Sequence, residues 1–303
     1  MGLTNFPHGV SSFGMPVLGM GEETMTTGNV FFVDSGAANA SDGNTGAAPT
    51  VPCATINGGI GKCTANNGDI VFVMPGHAES ITATIALDVA GVWVRGLGWG
   101  DNRPTITATG SILAFTISAA SCRVSNIICA PGGASVLAAF SITGAGVIVE
   151  NCETRPHATS EFLGIISTAA NDTVIRWNKF YSLSTGAGAS TGIYLSSAAR
   201  AQIYGNVVNG NFSVAALDNV GGSAAAVTDA VISHNVIRNY SATAGDLAID
   251  MHDSATGLLA YNLFGGGLAL ASNFDPGNLY CLHNFLSDAV DVSAVAIPTT
   301  GAT

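Results

Sequence analysis

Ile203–Val208 reads IYGNVV, Ile232–Ile237 reads ISHNVI and Leu259–Phe264 reads LAYNLF. Each stretch holds an apolar residue, two variable places, an asparagine and an apolar pair. The phrase returns as IVENCE at Ile148–Glu153, IRWNKF at Ile175–Phe180 and CLHNFL at Cys281–Leu286, and more weakly as RVSNII at Arg123–Ile128. The asparagines of these copies are Asn126, Asn151, Asn178, Asn206, Asn235, Asn262 and Asn284, separated by 25, 27, 28, 29, 27 and 22 residues. Such a period marks a chain built from stacked units. No copy shows the apolar period of a helix, so the unit is made of strands.

Each unit offers an earlier strand as well: Ile112–Ile117, Ala138–Ile142, Leu163–Ile166, Gly192–Leu195, Val214–Leu217, Leu247–Met251 and Leu268–Leu270. Two or more strands per unit, joined by short Gly, Ser and Asn turns, give a coil. Strands of successive coils then pair at about 4.8 Å. The expected fold is all-β, a right-handed parallel β-helix. Asparagine suits its corners, because it tolerates the left-handed backbone of a tight bend and its amide both donates and accepts. The seven asparagines are expected to lie in one register as a structural ladder.

Upstream, GNVFFVDSG (28–36), DGNTG (42–46), PCATINGGIGKC (52–63) and NNGDIVFVMPG (66–76) read as a strand, a turn-rich loop, a short helix and a second strand. The helix is expected to cap the open end of the solenoid, which otherwise exposes core and strand edges. Residues 1–28 lack any period and read as an arm, 29–297 as the β-helix with 29–80 as its capping region, and 298–303 as a tail.

With nine Lys and Arg against twenty Asp and Glu, the net charge is −11. A nucleic-acid binder needs a basic surface, and the nine cations show no stripe in the sequence, so neither nucleic acid nor an anionic membrane is an expected partner. A cleft for acidic sugars is not expected either. The uncharged stretches Pro104–Ser121 and Ala130–Val149 are broken by Gly, Ser and Thr and read as buried strands rather than membrane spans. The first residues are neither basic nor followed by an apolar segment, so no signal peptide is expected. Six Cys fit no zinc spacing. Cys53 and Cys63 either pair in an oxidising compartment or, with the rest, are buried thiols of a protein made in a reducing cytoplasm. No metal or cofactor is expected.

The order of strand, VDSG, DGN loop, P-x-A-T-I helix, NGDIVFVMPG and asparagine-bearing coils resembles the pectate-lyase-like superfamily of parallel β-helices. The superfamily hosts lyases, hydrolases, tailspikes and inert spikes, so the resemblance implies a fold more than an activity. LTNFPHGVSSFGMPVLG at Leu3–Gly19 is similar to the N-terminus of β-helical structural proteins of tailed bacteriophages. That likeness implies a virion component such as a capsid decoration protein or spike, made in the host cytoplasm. The arm, including Phe6, Pro7, Phe13 and Met15, would anchor it to the major capsid or another virion protein.

One constellation invites chemistry. Aligned on Leu217 and Ile249, AALDN and AIDMH place Asp218 and Asp250 in adjacent coils facing out, with His252 and Asp253 nearby. Stacked carboxylates repel, so one holds a proton or a cation sits between them. They are an acid pair of a polysaccharide hydrolase, a cation site, or solvated surface carboxylates. His234 and His283 each precede a motif asparagine, and Trp177 and Tyr261 share that column, which packs along one edge or binds sugar. Finally, the apolar pairs Val207–Val208, Val236–Ile237, Leu263–Phe264 and Phe285–Leu286 should send one member outward if strand alternation holds. The resulting stripe points to a homo-oligomer, most simply a trimer. Together these readings favour a structural virion protein without a required reaction. A tailspike-type polysaccharide-degrading enzyme, or a non-catalytic module that binds host surface glycan, stands as the alternative.

Overall fold

The computed structural model describes residues 10–12, 15–17, 26–133, 136–156, 163–183, 189–220, 225–243, 245–266, 274–287 and 295–296. Three parallel sheets, each a stack of equivalent strands from successive coils, enclose a single core. The chain is a parallel β-helix. The first sheet begins with Val30–Val33 and Ile70–Val73 and runs through Trp93–Gly96, Arg123–Ser125, Ile148–Glu150, Val174–Arg176 and Gln202–Tyr204 to Tyr280–Leu282. The second starts at Ala78–Ile81 and passes Lys179–Tyr181, Val207–Gly210, Val236–Asn239 and Leu263–Gly266, reaching Phe285–Ser287. The third runs from Ile85–Leu87 through Ala215–Asp218 and Leu247–Asp250 to Phe274–Asp275.

Each coil has three strands, and the repeated phrase is not one strand. It straddles a corner: Gln202–Tyr204 ends in the first sheet, Gly205 and Asn206 make the bend, and Val207–Gly210 enters the second. The first corner residue has a positive φ in every copy: Asn126 (60°), Asn151 (53°), Trp177 (57°), Gly205 (68°), His234 (56°), Tyr261 (56°) and His283 (49°). The second points into the core. Because Ser125 pairs with Glu150 and Glu150 with Arg176, Asn126 and Asn151 align with Trp177 in the first corner place. Ile127 and Cys152 align with Asn178 in the inward one. The seven asparagines thus divide between two places, correcting the single register expected from the sequence. Asparagine satisfies both demands, left-handed backbone and amide pairing, so counting asparagines cannot tell the two apart.

The five inward amides form a continuous chain of hydrogen bonds. Asn178 Nδ2 donates to Asn206 Oδ1 (3.0 Å), Asn206 to Asn235 (3.0 Å), Asn235 to Asn262 (2.9 Å) and Asn262 to Asn284 (2.9 Å). Each Oδ1 also accepts the backbone N–H of the preceding corner, and each Nδ2 also donates to a carbonyl of the coil before. All five side chains are buried, and in each both the oxygen and the nitrogen of the amide are hydrogen-bonded. Core columns run parallel to them; in the third sheet Ile85, Phe115, Phe140, Ile165, Ile193, Leu217, Ile249 and Phe274 stack in register.

The expected cap is present. Thr55 caps α1 (Ile56–Ile60) by accepting from Gly58 N, and Gly59 lies so close to Val33 and Val71 that a Cβ would sit 2.7 Å from Val33 Cγ2. Ile56 and Ile60 thereby close the core at its first coil. The polar residues of the upstream phrases are structural. Asp42 accepts the amides of Ala54 and Thr55 (both 2.9 Å), and buried Asp69 accepts those of Asn29 (2.6 Å) and Thr64 (2.7 Å). Of the arm, Val10–Ser12 pairs antiparallel with Met15–Val17. Phe6, Pro7, Phe13, the side chain of Met15, the strand expected at Leu268–Leu270 and the tail at 298–303 lie outside the described residues. Among those described, no helix is long and apolar enough to cross a membrane. All six cysteines are free thiols; burial and, to a lesser degree, the nearby Asp69 carboxylate push Cys63 up to about 12.

Candidate functional site

The two aspartates singled out in the sequence are brought together. Leu217 pairs with Ile249 and Asp218 with Asp250, and Asp275 continues the column in the next coil. They differ from solvated surface carboxylates. Asp218 is only 2% exposed and accepts the Val220 amide at 2.7 Å, while Asp250 is half-buried. Burial, then the charges of Asp218, Asp275 and Asp253, push Asp250 up to about 6. This column can hold a proton near neutrality. His252 Nδ1 instead accepts the Ser254 amide (3.0 Å).

One member of each apolar pair faces outward, as strand alternation predicts. Val207, Val236, Leu263 and Phe285 stack in register on the outer face of the second sheet, partly exposed, with Phe285 at 46%. Their partners Val208, Ile237, Phe264 and Leu286 are at most 1% exposed. Those four belong to the core and are not interface residues, as strand alternation requires. The corner column packs as rings: His234 stacks on Tyr261 (5.2 Å between centroids) and Tyr261 on His283 (5.3 Å).

A second site was missed by the sequence. Where the first and second sheets meet, a cleft of about 550 Å³ opens over the early coils. Its walls include all three tryptophans of the chain, Trp93, Trp99 and Trp177. The registers explain the gathering. Trp93 pairs with Arg123, and Arg95, Ser125, Glu150 and Arg176 form the neighbouring outward column. Arg95 and Arg123 both lie over the Trp93 ring, at 4.8 and 4.2 Å from its centroid, and Trp93 Nε1 donates to Ser125 Oγ (2.8 Å). Glu150, nearly buried, is gripped by Arg123 (Nε, 2.6 Å) and by Arg176 (Nε, 2.7 Å). One strand on, Arg103 and Arg155 hold Glu153; although its burial opposes ionisation, their hydrogen bonds and charges keep its carboxyl below the usual range.

Six of the nine basic residues, Arg95, Arg103, Arg123, Arg155, Arg176 and Lys179, therefore meet at this corner, correcting the expectation of scattered cations. The walls themselves carry four cations and one carboxylate, a net charge of +3 on a chain of −11. The ion-pair partners just outside, Arg155 and Arg176 with Asp101 and Glu153, leave that balance unchanged. The only legible signal was the coil period itself: outward residues separated by one coil length become lateral neighbours.

Trp99 is 90% exposed. It sits between Gly98 (φ 101°) and Gly100 (φ 58°), conformations that a side chain strains. Its loop is pinned: Asn126 Nδ2 donates to Gly98 O (3.2 Å), Arg103 Nε to Gly100 O (3.0 Å) and Gly76 N to Asn102 O (2.8 Å). An indole is thus held out in water by a fixed backbone. Across the cleft Trp177, at 49% exposure, rests on the Arg176 guanidinium (4.4 Å) and meets Tyr204 edge-on (5.8 Å).

No protein-family model matches the chain, and no curated protein matches it. Among solved structures it is similar to a rhamnogalacturonan lyase (12% identity, TM-score 0.46, covering 86% of this chain and 74% of that one). It is similar to pectin methylesterase PemA from Erwinia chrysanthemi (11% identity, TM-score 0.42, 92% and 94%). It also matches a tailspike protein, gp49 of Acinetobacter baumannii bacteriophage Fri1, a capsular polysaccharide depolymerase (13% identity, TM-score 0.43, 73% and 42%). What these proteins share with the chain is the β-helix, which the strand registers above establish on their own.

Proposed function

We propose that the chain is a structural component of a tailed-bacteriophage particle, a stiff β-helical body displayed on the virion surface as a decoration protein or spike. The observation that carries the reading is the uninterrupted stack: three sheets in register and five buried amides bonded end to end. A buried polar chain with every member satisfied rigidifies what it joins. Stiffness along one axis is what a projecting part needs, and it requires no reaction. The likeness of Leu3–Gly19 to phage structural proteins supports the assignment of residues 1–28 as the anchor to a major capsid or other virion protein. The column Val207, Val236, Leu263 and Phe285 supports a homotrimer that buries it. Deleting residues 2–28 tests the anchor: the truncated protein should fold but fail to attach to particles, and unchanged attachment would end this reading.

A second reading, a tailspike-type depolymerase, is favoured by one observation, the registered Asp218–Asp250 pair with its raised Asp250. It requires turnover of host surface glycans by the purified protein, lost in Asp218→Asn and Asp250→Asn.

A further inference from the structure

We infer that the cleft between Trp99 and Trp177 is a binding site for an acidic saccharide, independent of any particle-anchoring role. Three observations converge on it. Both rim indoles present ring surface to solvent, and the Trp99 loop is fixed by hydrogen bonds to Asn126 and Gly76 on the neighbouring coils and by Arg103 within the loop, so the exposure is built and not incidental. Aromatic rings offer an apolar face to the C–H face of a sugar ring while leaving its hydroxyls wet. The floor between them is cationic on a strongly acidic chain, and the Lys179 ammonium, exposed at its edge, has no hydrogen-bond or ion-pair partner among the described residues. An ammonium on a rigid wall beside guanidinium forks is a recognition device for a carboxylate or sulfate. The volume is that of a small-ligand site.

The ligand class follows from the mixture. A neutral sugar would leave the excess of positive charge unused. Single-stranded nucleic acid also stacks on aromatics and pairs with cations, but a polyanion long enough to run out of the cleft meets a chain of net charge −11. A short sugar acid reaches only the positive island. The inference concerns binding and requires no reaction: Glu150 is engaged by Arg123 and Arg176, and Glu153 by Arg103 and Arg155.

The test is calorimetric titration of the full chain with 3′-sialyllactose and a hyaluronan oligosaccharide. Lactose and a chito-oligosaccharide serve as uncharged counterparts and oligothymidylate as the nucleic-acid arm. The expected result is saturable binding of at least one acidic sugar, weakened by salt, with the uncharged counterparts bound roughly tenfold more weakly or not at all. Trp99→Ala and Lys179→Gln should each weaken it by about tenfold, while Arg238→Gln on a later coil should not. Circular dichroism checks folding; should Trp99→Ala misfold, Lys179→Gln, on an exposed side chain, decides. Absence of saturable binding by both acidic sugars, equal binding of charged and uncharged partners, tighter binding of oligothymidylate, or parent-like affinity in the variants would each overturn the proposal.

Discussion

Replacing Asp250 by Asn should stabilise the protein at neutral pH and do nothing at low pH. In the fold, burial and the stacked charges of Asp218 and Asp275 raise the Asp250 carboxyl from 3.8 to about 6. The folded state therefore binds a proton across that interval that the unfolded chain has released. Stability falls as pH rises through the window and stays reduced above it. Two pH units correspond to about 3 kcal/mol, and partial exposure of Asp250 to water reduces this to roughly 1–2 kcal/mol. Asparagine keeps the shape and removes the charge. Thermal melts of the parent and Asp250→Asn should coincide near pH 4 and separate by about 2–4 °C near pH 7, the variant being higher. A variant that melts lower at neutral pH, or an offset that is the same at both values, would refute the repulsion. Added Ca²⁺ refines the experiment: if the column holds a cation, millimolar Ca²⁺ raises the parent's melting temperature and leaves Asp250→Asn unchanged.

Asn235→Ala should cost about 2–4 kcal/mol in chemical denaturation, because it leaves the Asn206 backbone N–H and one Asn206 Nδ2 hydrogen without their acceptor and removes the amide donor to the Ile203 carbonyl, all in the core; the Asn262 oxygen keeps the backbone N–H of residue 235. Asn151→Ala, at the solvent-facing corner place, should cost only about 1 kcal/mol for its left-handed backbone, and Asn151→Gly nearly nothing. Gly192→Ala puts a Cβ 2.4 Å from Val208 Cγ1 and 2.6 Å from Ala216 O and should destabilise severely, seen as loss of soluble protein. Phe285→Asp combined with Val236→Asp should convert the proposed trimer to monomer in sedimentation velocity without loss of circular dichroism; a parent that is itself monomeric at micromolar concentration removes the interface.

By itself, the sequence determined the class of fold. Strand-forming phrases recurring every coil, turn residues between them and a capping helix ahead of them fix a parallel solenoid, since local pattern and period are written residue by residue along the chain. It also placed Asp218 against Asp250, because their flanking strands share a clear apolar anchor in Leu217 and Ile249. Only the tertiary structure decided what depends on the lateral offset between coils. Their lengths differ by several residues, and asparagine serves both corner places, so the identity of a residue did not reveal which place it holds. That offset moved Asn126 and Asn151 out of the amide chain and set Trp93, Arg123, Glu150 and Trp177, distant in the chain, around one cleft. Lateral neighbours in a solenoid are one coil apart in sequence, and a shift of one residue turns an inward side chain outward.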